Sequence, residues 1–296
     1  MFKNSSIFVL AADSHSNDIF RIDIDNDTQR LICKSFFTAT SSLINQKEKI
    51  IFDGSYKPNE DELLVIENFQ IIDKIKDAVR NPLGINAYQN VNGKFPKIKA
   101  IFVGERYETE NSESFRIAFQ RFKKEQYIST KSYNLFFNKD TFFRQSNFGI
   151  SITDSIDCFY DNNELFFISY FFAQQIFDLK NYYRSATDKE VNSFVNNKNL
   201  KIQDSNAFQK MADTWIRRKI AMINDSKVLE NYSASDIAKQ AENIGVNISI
   251  DDNKIILPSD KKQIKVILGF LDEEAYKGPF TQNTYLTNSK RQLTKK

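Results

Sequence analysis

Apolar and polar positions alternate with a period of two along much of the first half of the chain, which is the mark of half-buried strands. "SIFVLAA" (6–12) and "IFRIDID" (19–25) read as strands; in the second, Ile19, Arg21 and Asp23 oppose Phe20, Ile22 and Ile24. A helical spacing follows Asp27, with Leu31, Phe36, Leu43 and Ile44 available for a buried face. "KIIFDG" and "LLVIENF" flank "SYKPNEDE", where Pro58-Asn59 predicts a turn and the whole segment a hairpin. "IIDKIKDAV" predicts a short amphipathic helix stopped by Asn81-Pro82. Further strands are expected at 98–105, 114–122, 133–137 and 141–146, the last two joined at Asn138-Lys139-Asp140. Another pair brackets the turn Asp161-Asn162-Asn163.

From about residue 172 the spacing turns helical, in "AQQIFDLKNYY", "TDKEVNSFV", "NAFQKMADTWIRRKIAMI" and "SASDIAKQAENIG". Ser233 and Asp236 form a capping signature for the last of these. A compact hairpin is expected at 246–257, and Ser259-Asp260 opens a final helix. The pattern defines an α+β chain, strand-rich over 1–171 and mainly helical over 172–296, with one small β-hairpin and a basic C-terminal tail. Because no Gly/Pro/Ser-rich linker divides the two parts, one compact body is expected.

Composition narrows the class. Hydrophobic residues make up 41% of the 296 positions and aromatics 14%, enough apolar surface to offset chain entropy. With 41 bases against 38 acids the net charge is only +3, so attraction for a polyanion must come from local clusters. The two cysteines, Cys33 and Cys158, form no metal or redox spacing and suit a reducing cytosol. The N-terminus lacks the pattern of a signal peptide. The most apolar run, "LFFISYFFA" (165–173), falls far short of the roughly 20 residues a membrane helix needs. A cytoplasmic, soluble chain is the expectation.

Candidate chemistry is sparse. His15 is the lone histidine, so histidine metal sites are excluded and a Ser-His-Asp set would have to be built on it. No phosphate-cradling glycine loop occurs. Asp-x-Lys appears four times, matching the roughly four occurrences chance would give, so it carries no signal. The nearest approach to a metal-dependent nuclease is Asp161 and Glu164 ahead of Asp178 and Lys180. Asp23, Asp25 and Asp27 read as a strand running into a helix N-terminus, where acids are favoured. No cofactor is called for.

Basic clusters are the more suggestive feature. In "FRIAFQRFKKEQY", Phe115, Ile117 and Phe119 share one strand face; Arg116 and Gln120 lie on the other, with Arg121, Lys123 and Lys124 beyond. "WIRRKIAMI" carries Arg217, Arg218 and Lys219 on a helix whose Ile216, Ile220 and Ile223 face inward. Lys261, Lys262 and Lys265 occupy the first turns of the final helix, with Lys261 and Lys265 on one face. The tail "NTYLTNSKRQLTKK" adds Lys290 and Arg291, with Lys295 and Lys296 behind them. Tyr285, Leu286 and Leu293 are spaced to pin it and leave Lys290 and Arg291 wet. If such clusters converge, they bind sugar–phosphate backbone without reading sequence.

Several segments together carry a likeness to a known family: "IIFDGSYKPNEDELLVIENFQI" (50–71), "FFAQQIFDLKNYYRSATDKEVNSF" (171–194), "IRRKIAMI" (216–223), "KIILPSDKKQIKVILGFLDEEAY" (254–276) and "TYLTNSKRQL" (284–293). In order and spacing they resemble the KwaB family, soluble components of the bacterial Kiwa anti-phage defence system, over about residues 48–293. The resemblance implies a DNA-binding effector without catalytic residues or cofactor. It also implies a membrane-embedded partner, KwaA, that brings the chain to the inner face of the cell membrane. It assigns no DNA contact residue by residue, so Arg116, Arg121, Lys123, Lys124, Arg217, Arg218, Lys219, Lys261, Lys262, Lys265, Lys290 and Arg291 rest on the charge argument. The expected assembly is a homo-oligomer, a dimer. Two other readings stay open: the nuclease above, and a protein–protein adaptor that does not bind DNA.

Overall fold

In the computed structural model the chain is described apart from residues 4, 13–17, 55, 91–93, 110–111, 129–132, 180–181, 288 and 291–296. It divides into two compact units, one of residues 1–52 and 58–179, the other of 53–57 and 180–296. The architecture is α+β, as the pattern of periodicities predicts.

The first unit is built on β1 (Ile7–Ala11), β2 (Ile19–Ile22), α1 (Asn26–Ile44), β3 (Glu48–Ile51), β4 (Glu62–Ile66) and α2 (Asp73–Arg80). There follow β5 (Ile98–Thr109), β6 (Ser112–Arg121), β7 (Tyr127–Ile128), β8 (Asn134–Asn138), β9 (Thr141–Gln145) and β10 (Gly149–Ile150). It ends with β11 (Cys158–Asp161), β12 (Glu164–Phe167) and the short helix α3 (Tyr170–Ala173). Among the described residues, eight strands form one sheet in the order β2-β1-β5-β6-β11-β12-β4-β3. Alternate side chains of β1 fill two separate cores. Ile7 and Val9 join Phe36 and Leu43 of α1, while Phe8 stacks on Phe102, which continues to Phe119 and Phe177. Burial on both faces is why the central strands read as unbroken apolar runs. Gly104 lets α2 lie close against β5, since a Cβ there would meet Val79 Cγ2 at 2.6 Å.

In this unit four expectations change. The segments around Pro58-Asn59 form no hairpin: β3 and β4 pair in parallel, Ile50 opposite Leu64. The turn exists, with Glu62 N–H bonded to the Asn59 carbonyl at 3.2 Å, but the ten residues between the strands are long enough to carry the chain back and begin β4 beside the start of β3. The second face of β6 is not a wet face for cations, because Ala118 and Gln120 are buried beside Phe119. Residues 174–179 do not extend the short helix; Ile176, Phe177 and Leu179 are instead buried, and Phe177 packs edge-on to Phe69 and Phe119. Leu31, expected on the buried face of α1, is exposed.

The second unit contains α4 (Asp188–Val195), β13 (Leu200–Ile202), α5 (Ser205–Met211), α6 (Thr214–Ser226), α7 (Val228–Asn231) and α8 (Ala234–Asn243). It closes with β14 (Ile250–Asp251), β15 (Lys254–Leu257), α9 (Lys261–Leu271), β16 (Ala275–Lys277) and β17 (Thr284–Leu286). Ile216, Ile220 and Ile223 of α6 meet Ile264, Ile267 and Leu268 of α9 in one core. The single helical stretch expected over 206–223 is split, because the Asp213 carboxylate accepts from Ile216 N–H at 3.0 Å and starts α6 anew. Gly245, at φ +78°, ends α8, and the next amide, Val246, bonds back to the Ala241 carbonyl at 2.8 Å. Among the described residues no helix is long and apolar enough to cross a membrane.

The start of α4 is a reciprocal cap. Thr187 N–H donates to Glu190 Oε2 at 2.8 Å and Glu190 N–H to Thr187 Oγ1 at 3.3 Å; Arg184, itself paired with Asp225, bonds Glu190 Oε1 at 2.6 Å. Arg184 first, then the Thr187 amide, pulls the Glu190 carboxyl down to about 2 from its ordinary 4.5. A carboxyl lowered by folding stabilises the protein above its unfolded pKa and loses that contribution as pH falls from about 4.5 towards 2. Glu190→Gln should therefore lower stability at neutral pH by about 1 kcal/mol. Urea unfolding between pH 5 and pH 2.5 is the check: the variant should lose less stability across that window than the unaltered chain, and equal losses would remove Glu190 from the account.

Candidate nucleic-acid interface

The predicted cations meet different fates. In the first unit, β6 delivers Arg116 to Asp161 across the β6–β11 ladder, with Nε–Oδ2 at 3.2 Å and the guanidinium 4.2 Å from the Tyr107 ring. Arg121 is held harder: Asp157 takes both its backbone N–H and its Nε, Gln175 takes Nη1, and Phe172 lies 3.6 Å beneath. These two arginines knit the sheet together. Lys123 and Lys124 follow at the strand end without a carboxylate partner among the described residues.

In the second unit α6 and α9 bring most of the remaining cations together. Trp215, the chain's one tryptophan, sits near the start of α6, with Arg218 and Lys219 three and four residues on. Lys265 Nζ lies 5.1 Å from the Trp215 ring centre and Lys219 Nζ 5.3 Å from it. Lys261 bonds Asp213 at 2.8 Å, which holds that carboxyl below its ordinary value. Lys262 and Lys265 are exposed; among the described residues neither forms a close ion pair, though Lys265 adds to the field that lowers Asp213. Arg218 sits 5.1 Å from the Tyr183 ring and donates to its hydroxyl at 3.3 Å. Arg217 turns away to Asp188 at 2.6 Å and to the carbonyls of Ala212 and Ala186. Lys265 thus lies against Trp215, Arg218 against Tyr183, and Lys261 and Lys262 open α9, with Asp213 and Asp260 as the capping carboxylates of α6 and α9. Sequence reading overlooked Trp215; its signal was the i,i+3 relation to Arg218.

Lys219 does not join that surface. It is 3% exposed, and its ammonium bonds Asp272 Oδ2 at 2.6 Å and Glu274 Oε1. Lys290 completes the cluster on Asp272 Oδ1 at 2.9 Å and on the Asp272 carbonyl. So Lys290 is docked and half-buried where the sequence suggested a wet cation. Tyr285 stacks on Tyr276 at 5.5 Å, Thr287 N–H bonds the Glu274 carbonyl, and Ser289 Oγ accepts from Lys57 N–H at 2.8 Å. Backbone pairing and ions hold this segment, since Tyr285 and Leu286 remain exposed. Arg291, Leu293, Lys295 and Lys296 lie outside the described residues, as does His15.

The nuclease layout is not drawn together. Asp161 is occupied by Tyr107 and Arg116, and Glu164 pairs with Lys49 at 3.5 Å, while Lys180 lies outside the described residues. Among the described residues no three His, Cys, Asp or Glu side chains meet as a metal group.

The sheet of the first unit and the helices of the second make this an α+β protein, and in the second unit Trp215 of α6 has Lys219 and Lys265 against its ring. A family model described as Kiwa protein KwaB-like matches residues 108–281. That is more than half of the chain, and the chain belongs to this family, making it a component of a Kiwa anti-phage defence system. Comparison with curated proteins and with solved structures gives no match.

The buried ion cluster yields a stability prediction. Lys219→Met would strand two buried carboxylates and should cost about 3–5 kcal/mol. Lys290→Met removes a more exposed partner and should cost about 1 kcal/mol. Equal losses in urea unfolding would contradict the central place given to Lys219.

Proposed function

We propose that the chain is a non-catalytic DNA-binding effector of its defence system, gripping backbone phosphates and working with a membrane-embedded KwaA-like partner that recruits it from the cytoplasm to the inner face of the membrane. The observation that carries this reading is the charge imbalance on the α6–α9 surface. Lys265 lies against Trp215, and although Lys261 pairs with Asp213 and Asp260 caps α9, the exposed Lys262 and Lys265 form no ion pair among the described residues. Lys261 and Lys262 also begin a helix, where the backbone dipole disfavours cations, so an anion there relieves repulsion as well as gaining attraction. Phosphate contact of this kind positions the protein without reading bases and weakens steeply with salt.

The test is a salt titration of binding to a duplex of arbitrary sequence. Joint Lys262→Glu and Lys265→Glu substitution should weaken binding more than tenfold at low salt and reduce the salt slope by about two. Lys261→Ala, already neutralised by Asp213, should change it less. An unaltered slope in the double variant would end the reading. Cleavage of DNA with Mg²⁺ that disappears in Asp178→Ala would replace it with the nuclease.

A further inference from the structure

The turn between β16 and β17 ties itself shut. Gly278 N–H bonds the Asn283 carbonyl at 2.9 Å, and Gln282 N–H bonds the Gly278 carbonyl at 2.9 Å. Side chains finish the closure. Gln282 Nε2 donates to the Pro279 carbonyl at 2.8 Å, Asn283 N–H donates to Thr281 Oγ1 at 3.4 Å, and the Thr281 and Tyr285 hydroxyls lie 3.1 Å apart. The close approach requires Gly278, where a Cβ would meet Thr281 Oγ1 at 2.8 Å and Tyr285 Cε2 at 2.9 Å. At the apex stands Phe280, 97% exposed.

The side chains behind this apex are graded by polarity. Pro279 precedes the ring, and Tyr276 opposite Tyr285 on the ladder form an exposed stack behind it. Lys277 is exposed beside the turn and forms no ion pair among the described residues. Residues 275–290 contain no carboxylate. Of the three acids just ahead of β16, Asp272 and Glu274 are buried on Lys219, and Glu273 stands at the end of the hairpin remote from the turn. The projecting tip is therefore apolar, then aromatic with hydroxyls, with a cation and no anion.

We propose that this turn enters the interfacial layer of an anionic bilayer, Phe280 leading, with Tyr276 and Tyr285 at headgroup depth and Lys277 on lipid phosphate. Hydrogen bonding and charge select this occupant. A protein interface of ordinary size carries about ten direct hydrogen bonds, but here Thr281, Gln282 and much of the turn's backbone are already bonded to one another. The same closure lowers the penalty for leaving water, which unpaired polar groups would raise. Tyrosines suit the layer where one end of the ring is wet and the other apolar, and a lysine without opposing acids suits anionic headgroups. The inference rests on the reading that the chain is brought to the inner face of the membrane. Burying one phenylalanine favours partition by roughly ten- to a hundredfold. That is too little to recruit the chain alone, since stable attachment takes two signals. The turn is the second hold, beside the membrane-embedded partner.

Flotation of the full chain, without its partner, on vesicles of phosphatidylcholine with phosphatidylglycerol tests it. The unaltered chain should float with them, and Phe280→Ser should weaken partition about tenfold or more. Lys277→Glu should weaken it severalfold on these vesicles and leave it unchanged on phosphatidylcholine alone. Should Phe280→Ser misfold, Phe280→Trp decides: its emission should shift to the blue on adding vesicles, beyond any change in the unaltered chain, whose baseline is Trp215. No flotation of the unaltered chain, flotation indifferent to Phe280→Ser, or no blue shift would overturn the proposal. So would loss of co-purification with the membrane partner in detergent on Phe280→Ser, because the ring would then anchor in a protein pocket. Phe280-dependent flotation of a chain that captures no membrane partner would uphold the turn and remove the recruiting partner instead.

Discussion

A lysine ammonium with almost no access to water fixes the layout of the second unit. Leaving Lys219 unpaired would cost several kcal/mol, so the fold must bring carboxylates to it. They come from just beyond α9, where Asp272 and Glu274 converge on a cation supplied by α6. Two helices that pack through interchangeable aliphatic contacts are thereby locked at one relative height. The same lock sets Trp215 between its two lysines and leaves Lys265 on the outside. An internal electrostatic requirement thus shapes an external charged surface.

The first unit solves a different problem. Its sheet is covered on both sides, so its polar groups must be satisfied inside the ladder or at its margins. Gln120 does so by bonding Gln126, Thr153 and Ser155, and Arg116 and Arg121 do so by pairing across strands. The arginines that look most like ligand-binding groups in the linear sequence are in this way consumed by the architecture. What remains outward there includes Lys123 and Lys124 past the end of β6 and the apolar side chains of the β8–β9 hairpin.

Much of the fold was legible. The two-residue period located β5, β6, β8 and β9, and the asparagine-rich turn placed β11 beside β12, because local pattern and tertiary pairing agree there. It failed where distance along the chain decided the outcome. Nothing local tells a turn at Asn59 whether the next strand will run with or against the last, and nothing local tells "AQQIF" that Phe177 is wanted by Phe69 and Phe119. The site followed the same rule. Lys261 and Lys265 were visible as helical neighbours on one face, but burial of Lys219 depended on Asp272 and Glu274, more than fifty residues away. The family likeness, confirmed over 108–281, supplied the biological setting that residue chemistry alone did not.

The second unit is not continuous along the chain: Asp53–Lys57 belongs to it, and Ser289 clasps Lys57 from the far end. A ribosome making this protein therefore exposes an early five-residue loop whose counterpart is translated more than two hundred codons later. Until Ser289 and Lys290 have cleared the exit tunnel, the ion cluster lacks a member and the loop lacks its clasp. The nascent polypeptide is thereby kept from presenting a finished helical unit ahead of time.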